Sequence, residues 1–489
     1  MNILAIDAGT TGVTALVVSS TGEVLSRGYC EFEQHFPKPG WVEHDPEQIW
    51  QSVLVSTKAA VANFSIQAIG ITNQRETLVL WDRETLKAPR NAIVWQDRRT
   101  SDIVEELRSQ ESIIRAKTGT PLDPYFTSTK LVWIQRNEPT VWADVLNGNT
   151  LIGTVDSYLV ARLSGGRHHI TDASNASRTQ LCNIDTAEWD DELLELFGVP
   201  KAALPKIVPN FGMLAETDPD AFLGIEAPIT GMAGDQQAAL FGQAAFGVGD
   251  TKCTYGTGAF LLTNTGKKRI SSKSGLITTV AWKAPTGEIT YALEGSVFVA
   301  GSAVQWLRDG LKIIEKSSDV EKLAASVPNS GGVTFVPALT GLGAPWWNSE
   351  VRGSITGITR GTSDAHIARA TLEAVAFQVT DLVRALEQDL GQPIKLLRVD
   401  GGMSVNNLLM QIQANTLGCT VERGTNVEST GIGAAYLAGL GAKLIQDQAA
   451  LAELWKLEQR FAPLPEPESS ISNWHSQVKN LISSNSTER

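Results

Sequence analysis

Residues 3–18 read Ile-Leu-Ala-Ile-Asp-Ala-Gly-Thr-Thr-Gly-Val-Thr-Ala-Leu-Val-Val, and this stretch decides the fold class. Two apolar runs at residues 3–6 and 13–18, the second rich in β-branched side chains, predict strands on either side of a polar turn. A second turn at residues 20–22 leads into a third predicted strand. The chain therefore begins with a β-meander, which excludes the β-α-β unit that opens a dinucleotide-binding fold.

Size and composition set the broad class. The chain has 489 residues, too many for one hydrophobic core, which predicts two domains of about 240 residues each. Hydrophobic residues make up 42% and charged residues 19%, as in an ordinary globular protein. A formal net charge of -12 argues against nucleic acid or an anionic membrane as the main partner.

Apolar segments and cysteine spacing predict the cellular location and the cysteine chemistry. The sequence shows no basic and apolar leader and no apolar run of the ~18 residues that a membrane span needs, so we expect a cytoplasmic protein without membrane insertion. None of the four cysteines has C-x-x-C spacing, so neither a zinc site nor a redox pair is predicted.

The predicted secondary structure changes from helix to strand about halfway along the chain. Residues 231–243 lead through Gly-Asp-Gln-Gln into a helical pattern, whereas residues 252–264 predict new strands. The second half then repeats the order of the first, with strands early and small-residue helices late. We therefore predict two domains, residues 1–246 and 247–489, that form a duplicated α/β core facing across a cleft. The Pro- and Ser-rich tail beyond about Phe461 is expected to be partly disordered.

Glycine-rich turns are candidate nucleotide contacts. They lie at residues 7–11, 254–258, 300–302 and 400–402. Each alone is better explained as a turn or a helix cap. Backbone can approach phosphates closely at such points, however, and four of them spread over both halves favour a nucleotide cleft. In the first turn Asp7 ends a strand, where its carboxylate is suited to hold Mg²⁺ through water.

Asp235 is the candidate catalytic base. It lies between Gly234 and Gln236 at a predicted strand-to-helix junction. Phosphoryl transfer to an alcohol needs a group that orients the hydroxyl and accepts its proton, and an Asp beside a cleft meets that need. The alternative is an ordinary helix N-cap, which the local sequence favours.

Longer segments of the chain resemble the carbohydrate kinases of the FGGY family. Together they run from residue 2 to about residue 440 and are far more specific than any single glycine motif. They are Phe36-Pro-Lys-Pro-Gly-Trp-Val-Glu-His-Asp-Pro46, Gly70-Ile-Thr-Asn-Gln-Arg-Glu-Thr77, Asn91-Ala-Ile-Val-Trp-Gln96, Asp123-Pro-Tyr-Phe126, residues 125–137, Asn175-Ala-Ser-Arg-Thr179, Gly234-Asp-Gln-Gln-Ala-Ala-Leu-Phe-Gly-Gln243, Tyr255-Gly-Thr-Gly258 and Gly341-Leu-Gly-Ala-Pro345. The resemblance implies α/β architecture, with two ribonuclease H/actin-like domains facing across a nucleotide-binding cleft.

Position by position, the resemblance also implies a function. The chain is expected to phosphorylate glycerol to sn-glycerol 3-phosphate with ATP and Mg²⁺, as a homodimer or homotetramer. Asp235 would be the base, and Asp7 and Asp235 would lie nearest Mg²⁺. The residues implied for the glycerol site are Arg75, Glu76, Trp95, Tyr125, Asp235, Gln236 and Phe260. Those implied for ATP are Thr10, Thr11, Thr257, Gly301, Gln305, Gly402 and Asn406.

Two positions of the opening hairpin depart from the family pattern. Ala8 stands where members that act on glycerol usually carry Gln, and Thr14 stands where the family usually has Arg or Lys. Losing a cation at position 14 should weaken stabilisation of the transferring phosphoryl group, unless another Lys or Arg replaces it.

Two other functions stay open. A sister kinase would act on another small polyol or ketose, such as erythritol or xylulose, although bulky Trp95 and Phe260 leave room for a short chain and favour glycerol. An actin-like nucleotide-binding protein with weakened catalysis is favoured only by Thr14. ATP turnover that depends on an added polyol would distinguish a kinase from such a protein.

Overall fold

The computed structural model describes residues 1–348, 350–464 and 469–486, and it contains two large mixed sheets. The first half of the chain forms β1 (Asn2–Ala8), β2 (Gly12–Ser19), β3 (Val24–Glu31), β4 (Glu43–His44), α1 (Pro46–Val61), β5 (Ala68–Asn73), β6 (Val79–Asp82), β7 (Ala92–Ile93), α2 (Ser101–Glu106), α3 (Glu111–Thr118), α4 (Thr127–Asn137), α5 (Pro139–Leu146), β8 (Thr150–Gly153), α6 (Val155–Leu163), β9 (Ile170–Asp172), α7 (Ala173–Ala176), β10 (Cys182–Asn183), β11 (Glu188–Trp189), α8 (Asp191–Phe197), β12 (Lys206–Val208), β13 (Phe211–Glu216), β14 (Pro228–Gly234) and α9 (Asp235–Gly242), with 3₁₀ turns at Arg108–Gln110 and Lys201–Ala203. The second half forms β15 (Thr251–Tyr255), β16 (Ala259–Gly266), β17 (Ile277–Lys283), β18 (Ile289–Val297), α10 (Gly301–Asp309), α11 (Asp319–Ala325), β19 (Thr334–Val336), β20 (Ser354–Thr356), α12 (Asp364–Leu390), β21 (Leu396–Asp400), α13 (Asn407–Leu417), β22 (Thr420–Gly424), α14 (Ser429–Gly441), α15 (Gln448–Leu454), β23 (Leu457–Phe461) and α16 (Ser469–Ser486).

Both large sheets follow the same strand pattern. In the first, the antiparallel meander β3-β2-β1 continues into the parallel strands β5 and β14, and β13 closes the edge. In the second, antiparallel β18-β16-β15 continues into parallel β21 and β22, with β17 and β23 at the edges. The predicted fold class, a duplicated ribonuclease H/actin-like core, is confirmed. The residue at which the two halves divide stays a prediction.

The opening meander forms because apolar side chains cover both faces of its strands. Leu4 and Ile6 of β1 belong to a core that also holds the inner face of α1, whereas Ile3 and Ala5 pack with residues of α14. Burial on both faces explains the continuous apolar run in the sequence. The register sets Asp7 opposite Thr14, and Thr14 opposite residue 29 of β3, so these side chains form one row across three strands.

Helices α9 and α14 cross between the two sheets and join the halves. Helix α9 packs on β15 and β16 of the second sheet, while α14 packs on β1, β5 and β14 of the first. A Cβ atom at Gly433 would lie 1.8 Å from the carbonyl oxygen of Ala238, and one at Gly242 would lie 2.1 Å from that of Ser429. Glycine at these two positions therefore allows the two helix backbones to touch. Each half contributes one helix to the core of the other.

The C-terminal segment differs from the expected disorder. Residues 469–486 form α16, and its buried Trp474 donates its indole N–H to the carbonyl oxygen of Phe335 at 2.9 Å. Trp474 packs with Val336 and Phe377, so a few apolar residues anchor the helix although its composition is polar. The expectation was wrong for this helix, and residues 465–468 and 487–489 lie outside the described residues. Among the described helices, none combines the length and the apolarity that a membrane span requires.

The helix crossing can be tested by substituting its glycine. Gly433→Ala should lower the free energy of unfolding by about 1–3 kcal/mol, because the added methyl group forces the α9 and α14 backbones apart. This clash should outweigh the ~1 kcal/mol that Ala gains over Gly in a helix. Thermal unfolding of the purified variant measures the effect. Gly361→Ala is the control, because a Cβ atom there would meet its nearest neighbour, Thr359 Oγ1, at 3.9 Å. Equal stability of the two variants would contradict the assignment.

Candidate active site

Three parallel strands of the first sheet end at the same edge of the cleft. Strand β5 pairs in parallel with both β1 and β14, in a register that sets Ala8 and Gly234 opposite Asn73. Since the carboxyl ends of parallel strands meet at one edge, the side chains that follow these ends converge. Four predicted site residues are brought together there, namely Asp7, Arg75, Glu76 and Asp235.

The guanidinium of Arg75 is buried and almost fully engaged. Its Nε lies 3.0 Å from Oδ1 of Asp235 in an ion pair. Nη1 and Nη2 donate to the two oxygens of Glu294 at 2.6 and 2.9 Å, and Nη1 also donates to Oε1 of Gln237 at 3.2 Å. A guanidinium carries five N–H donors, so one N–H of Nη2 remains for an acceptor molecule.

Glu294 links both halves at the base of the cleft. It lies on β18 of the second sheet and accepts from Arg75 and, at 3.1 Å, from Nη2 of Arg178, both of the first half. Burial alone would raise the pKa of Glu294, but Arg178 and Arg75 lower it to about 2. Nε of Arg178 also donates to Oε1 of Glu76 at 2.6 Å. Two carboxylates and two guanidiniums thus form one buried network, which Asp235 joins through Arg75.

Glu76 has an unusual backbone conformation. Its φ of 60° lies in the left-handed region, which non-glycine residues seldom occupy. Burial raises the pKa of its carboxyl group, against the opposing effects of Arg178 and Arg75. Such local strain is common in binding sites, where the surrounding contacts hold it in place.

Asp235 begins α9 directly after β14. Its Oδ1 accepts the backbone N–H of Gln236 at 2.7 Å and faces Nε of Arg75. The side chain stays 27% exposed, enough for a ligand in the cleft to reach it. Burial raises the pKa of Asp235 although Arg75 opposes the shift. A raised pKa makes this carboxylate a better proton acceptor than an ordinary Asp.

Asp7 has the environment of a cation ligand. Burial raises its pKa well above the ordinary value, and repulsion from Asp235 and Glu428 adds to the shift. A divalent cation bound between Asp7 and Asp235 would relieve this repulsion, so the two residues fit Mg²⁺ chemically. Across the described parts of the chain, no group of three or more His, Cys, Asp or Glu side chains is arranged to hold a metal ion. Mg²⁺ would therefore keep waters and phosphate oxygens as its other ligands.

Three aromatic rings form a wall next to the buried network, where the guanidinium carbon of Arg178 lies 5.8 Å from the centroid of the Tyr125 ring. The ring of Trp95 meets Tyr125 and Phe260 edge to face, with centroids 5.6 and 6.3 Å apart. Nε1 of Trp95 donates to Oγ1 of Thr10 at 3.0 Å, which ties this wall to the opening hairpin. Burial raises the pKa of Tyr125, so its phenol stays neutral and available as a donor. The predicted acceptor wall and the first predicted phosphate turn are thus one unit.

The glycine-rich turns of the second half meet around the β15–β16 hairpin. The carbonyl oxygen of Thr257 accepts from the backbone of Ala300 at 2.9 Å and of Ser302 at 3.1 Å. A Cβ atom at Gly301 would lie 2.5 Å from the carbonyl oxygen of Gly256. The backbone N–H of Met403 donates to the carbonyl oxygen of Tyr255 at 3.0 Å, which brings the third turn alongside.

The other residues that are predicted to contact the nucleotide differ in their exposure to solvent. Gln305 is exposed and lies one helical turn after Gly301, so both share one face of α10. Gly402 is exposed, and a Cβ atom there would meet open space, so a ligand can approach its backbone. Thr11 is exposed at the tip of the first hairpin. Asn406 is instead buried and caps α13, because its Oδ1 accepts from Leu409 at 2.8 Å. Its amide NH₂ alone is left for a nucleotide.

Comparison with known proteins places the chain in a family. The model of the FGGY family of carbohydrate kinases matches residues 2–242 with its N-terminal domain and residues 251–442 with its C-terminal domain. The chain belongs to the FGGY family of carbohydrate kinases.

Individual relatives in the FGGY family are similar over almost their whole length. The chain is 53% identical to a glycerol kinase of Bdellovibrio bacteriovorus over 466 residues, covering 94% of each chain. It is 50% identical to a glycerol kinase of Geobacillus over 487 residues, covering 98% of each. The crystal structure of Plasmodium falciparum glycerol kinase with ADP superposes with a TM-score of 0.90, at 36% identity and with 98% of each chain covered.

The network in this FGGY kinase contains residues that the sequence analysis missed. Glu294 and Arg178 were not predicted, and neither was Lys252, whose Nζ donates to Oε1 of Gln236 at 2.6 Å and to Oγ1 of Thr254 at 2.8 Å. Glu294 and Lys252 each interrupt an apolar strand, ITYALEGSV and TKCTY respectively. A charged residue inside a buried strand must find a partner, and this signal was available from the sequence. The predicted acceptor residue Gln236 is held by Lys252.

Removing the central carboxylate should destabilise the FGGY fold. Glu294→Gln removes the carboxylate that Arg75 and Arg178 share. The two guanidiniums then keep only Asp235 and Glu76 as counter-charges, and the free energy of unfolding should fall by about 3–5 kcal/mol. Because the pKa of Glu294 lies below its ordinary value of 4.5, this stabilisation is present above that pH and is lost as the pH falls towards about 2. The gap in Tm between wild type and variant should therefore close in acid.

Thermal unfolding at pH 7 and at acid pH measures this gap. Glu105→Gln is the control, because Glu105 is 71% exposed in its pair with Arg108. A Glu294→Gln protein as stable as this control at pH 7 would contradict the role of the network.

Proposed function

We propose that this FGGY kinase transfers the γ-phosphoryl group of ATP to glycerol and releases sn-glycerol 3-phosphate and ADP. The observation that carries the proposal is the position of Asp235, a partly exposed carboxylate of raised pKa that pairs with buried Arg75. The same charged network reaches the aromatic wall through Arg178. The relatives named glycerol kinase, at about 50% identity over nearly the full length, support the same substrate.

The acceptor site suits a short polyol. Asp235, Glu76 and the remaining N–H of Arg75 offer charged partners to hydroxyl groups, and such bonds are stronger than neutral ones. Trp95, Tyr125 and Phe260 offer apolar surface to the carbon chain. Charged partners for hydroxyl groups, combined with apolar surface for carbon atoms, suit a molecule with a hydroxyl on every carbon of a short backbone.

In the reaction, Asp235 prepares the acceptor hydroxyl. Its Oδ1 is occupied by Gln236 and Arg75, which leaves Oδ2 to accept the hydroxyl proton. The hydroxyl oxygen forms a bond to the γ-phosphorus, the bond from that phosphorus to the β–γ bridging oxygen breaks, and ADP leaves. Arg75 holds the carboxylate of Asp235 in place throughout. Mg²⁺, when bound by Asp7 and Asp235, neutralises charge on the phosphates.

The ATP site is built from both halves. We assign the phosphates to the opening hairpin at Thr10 and Thr11 and to the exposed backbone at Thr257 and Gly402. Gln305 and the amide of Asn406 would contact the rest of the nucleotide. We also propose that the enzyme works in the cytoplasm as a homodimer or homotetramer, which sedimentation analysis of the purified protein would test.

A substrate panel tests the acceptor. In an ADP-release assay with Mg·ATP, glycerol should give the highest kcat/KM among glycerol, dihydroxyacetone, erythritol, xylulose and gluconate. A higher value for another acceptor would contradict glycerol as the substrate while leaving a sugar or polyol kinase. ATP hydrolysis that no acceptor stimulates would contradict the kinase assignment itself.

Substituting the base tests the chemistry. Asp235→Asn keeps the shape of the side chain but cannot accept a proton, so kcat should fall by about 10²–10⁴-fold. ATP binding, followed by calorimetry, should persist. Asp309→Asn serves as the control, because Asp309 pairs with Arg308 at the surface and is 64% exposed. Retention of a near-normal kcat in Asp235→Asn would exclude this residue as the base.

A further inference from the structure

Most hydrogen-bond donors of Arg75 and Lys252, two cations at the base of the cleft, are engaged by protein partners. Phosphoryl transfer needs positive charge beside the phosphates as the transition state forms. Arg75 is engaged by Glu294, Gln237 and Asp235, and buried Lys252 is held by hydrogen bonds to Gln236 and Thr254. Thr14, beside Asp7 in the strand register, offers a hydroxyl and no charge.

Strand β3 presents two long side chains to the same side of the sheet as Asp7. A Cβ atom at Gly28 would lie 2.0 Å from the carbonyl oxygen of Ser56 in α1, so Gly28 faces the helix that covers the opposite side. Side chains alternate along a strand, and Arg27 and Tyr29 therefore both face away from α1. Tyr29 lies opposite Thr14 and completes the row that begins at Asp7.

Tyr29 packs against Gly12, which directly follows the first predicted phosphate turn. Its Oη lies 2.8 Å from the position that a Cβ atom would take at Gly12. Burial raises the pKa of Tyr29, and a hydrogen bond with Thr11 opposes the shift. Thr11 is one of the predicted ATP contacts, so the phenol borders the expected phosphate position.

Arg27 stacks on Tyr29 and reaches across the cleft. Its guanidinium carbon lies 5.3 Å from the centroid of the Tyr29 ring. Its Nη2 and Nε lie 3.1 and 3.2 Å from Oε1 of Glu428, which directly precedes α14 of the second half. The carbonyl oxygen of the residue before it, Val427, accepts from the backbone N–H of Gly401 at 3.4 Å, in a glycine-rich turn predicted to contact the nucleotide. The ion pair with Glu428 therefore holds Arg27 between Tyr29 and that turn.

We propose that Arg27 is the phosphate-binding cation of this enzyme, and that its guanidinium exchanges Glu428 for an oxygen of the ATP phosphates while Tyr29 guides it. The assignment rests on the proposed kinase function. Arg27 and Glu428 are 48% and 43% exposed, so the pair between them is weakened by water and easily exchanged. A phosphate offers a guanidinium two charge-assisted bonds and more negative charge than one carboxylate. Arg27 thus supplies from β3 the charge that Thr14 does not supply from β2.

Variants of the ion pair test the proposal by binding rather than by turnover. Calorimetry with Mg·ATP and no acceptor should show affinity weakened roughly tenfold or more in Arg27→Gln and largely restored in Arg27→Lys. The double variant Arg27→Gln, Thr14→Arg should recover affinity, because it places a cation directly in the row that begins at Asp7, on the strand next to β3. Glu428→Gln should bind ATP as tightly as wild type or more tightly, since Arg27 no longer has to leave a carboxylate.

Arg136→Gln is the matched control. Arg136 is also 48% exposed, and it pairs at 2.8 Å with Glu106, which is 55% exposed. Equal ATP affinity in Arg27→Gln and Arg136→Gln would overturn the proposal. An equal loss of affinity in Glu428→Gln and Arg27→Gln would also overturn it, because Arg27 would then act only as an ion pair between the halves.

The same experiments separate this proposal from the acceptor assignment. If wild-type protein binds Mg·ATP but does not phosphorylate glycerol, the acceptor assignment fails, and the calorimetry still decides the role of Arg27. If glycerol is phosphorylated and Arg27→Gln changes neither ATP affinity nor the KM for ATP, the kinase function stands and Arg27 has no part in it.

Discussion

The carboxylate of Glu294 is the constraint on which the site depends. It comes from the second sheet, yet the two guanidiniums that bind it come from the first. A charge removed from water is costly unless an opposite charge meets it with good geometry. The halves must therefore meet at this point with Arg75 and Arg178 correctly oriented. The base of the cleft is fixed before any ligand arrives.

This fixed base determines how the catalytic groups are presented. Arg75 is oriented by Glu294, so its Nε is aimed at Oδ1 of Asp235 and the other oxygen of that carboxylate is left for chemistry. Arg178, held by the same Glu294, positions Glu76 despite its left-handed backbone. The residues proposed to bind the acceptor are thus held in place by residues that are not proposed to bind it. Such support sets the orientation and the pKa of a catalytic carboxylate.

The sequence predicted the parts of the molecule that local rules control. The opening meander and the strand-to-helix junction at Asp235 depend on apolar periodicity and glycine placement over a few residues, and they were found. Glu294 and Lys252 could have been noticed as charges inside apolar strands. Their partners, and the role of Arg178, could not be predicted, because those contacts exist only once the two sheets face each other. A resemblance also does not show the structural role of a residue. It implied that Asn406 contacts the nucleotide, and the structure shows that the side-chain oxygen of Asn406 caps a helix.

Two of the contacts between the halves limit where the cleft can move. Helix α9 begins at Asp235 and meets α14 at Gly242, two turns later, so the backbone of the candidate base is anchored to the second half. Glu294 anchors its side-chain partner, Arg75, to the same half. A closing motion around a nucleotide must leave both contacts intact, because one is close-packed backbone and the other is buried charge. The half-exposed bridge between Arg27 and Glu428 can break at little cost. Movement is therefore expected at the proposed phosphate edge of the cleft, while the proposed acceptor edge keeps the geometry that Glu294 imposes.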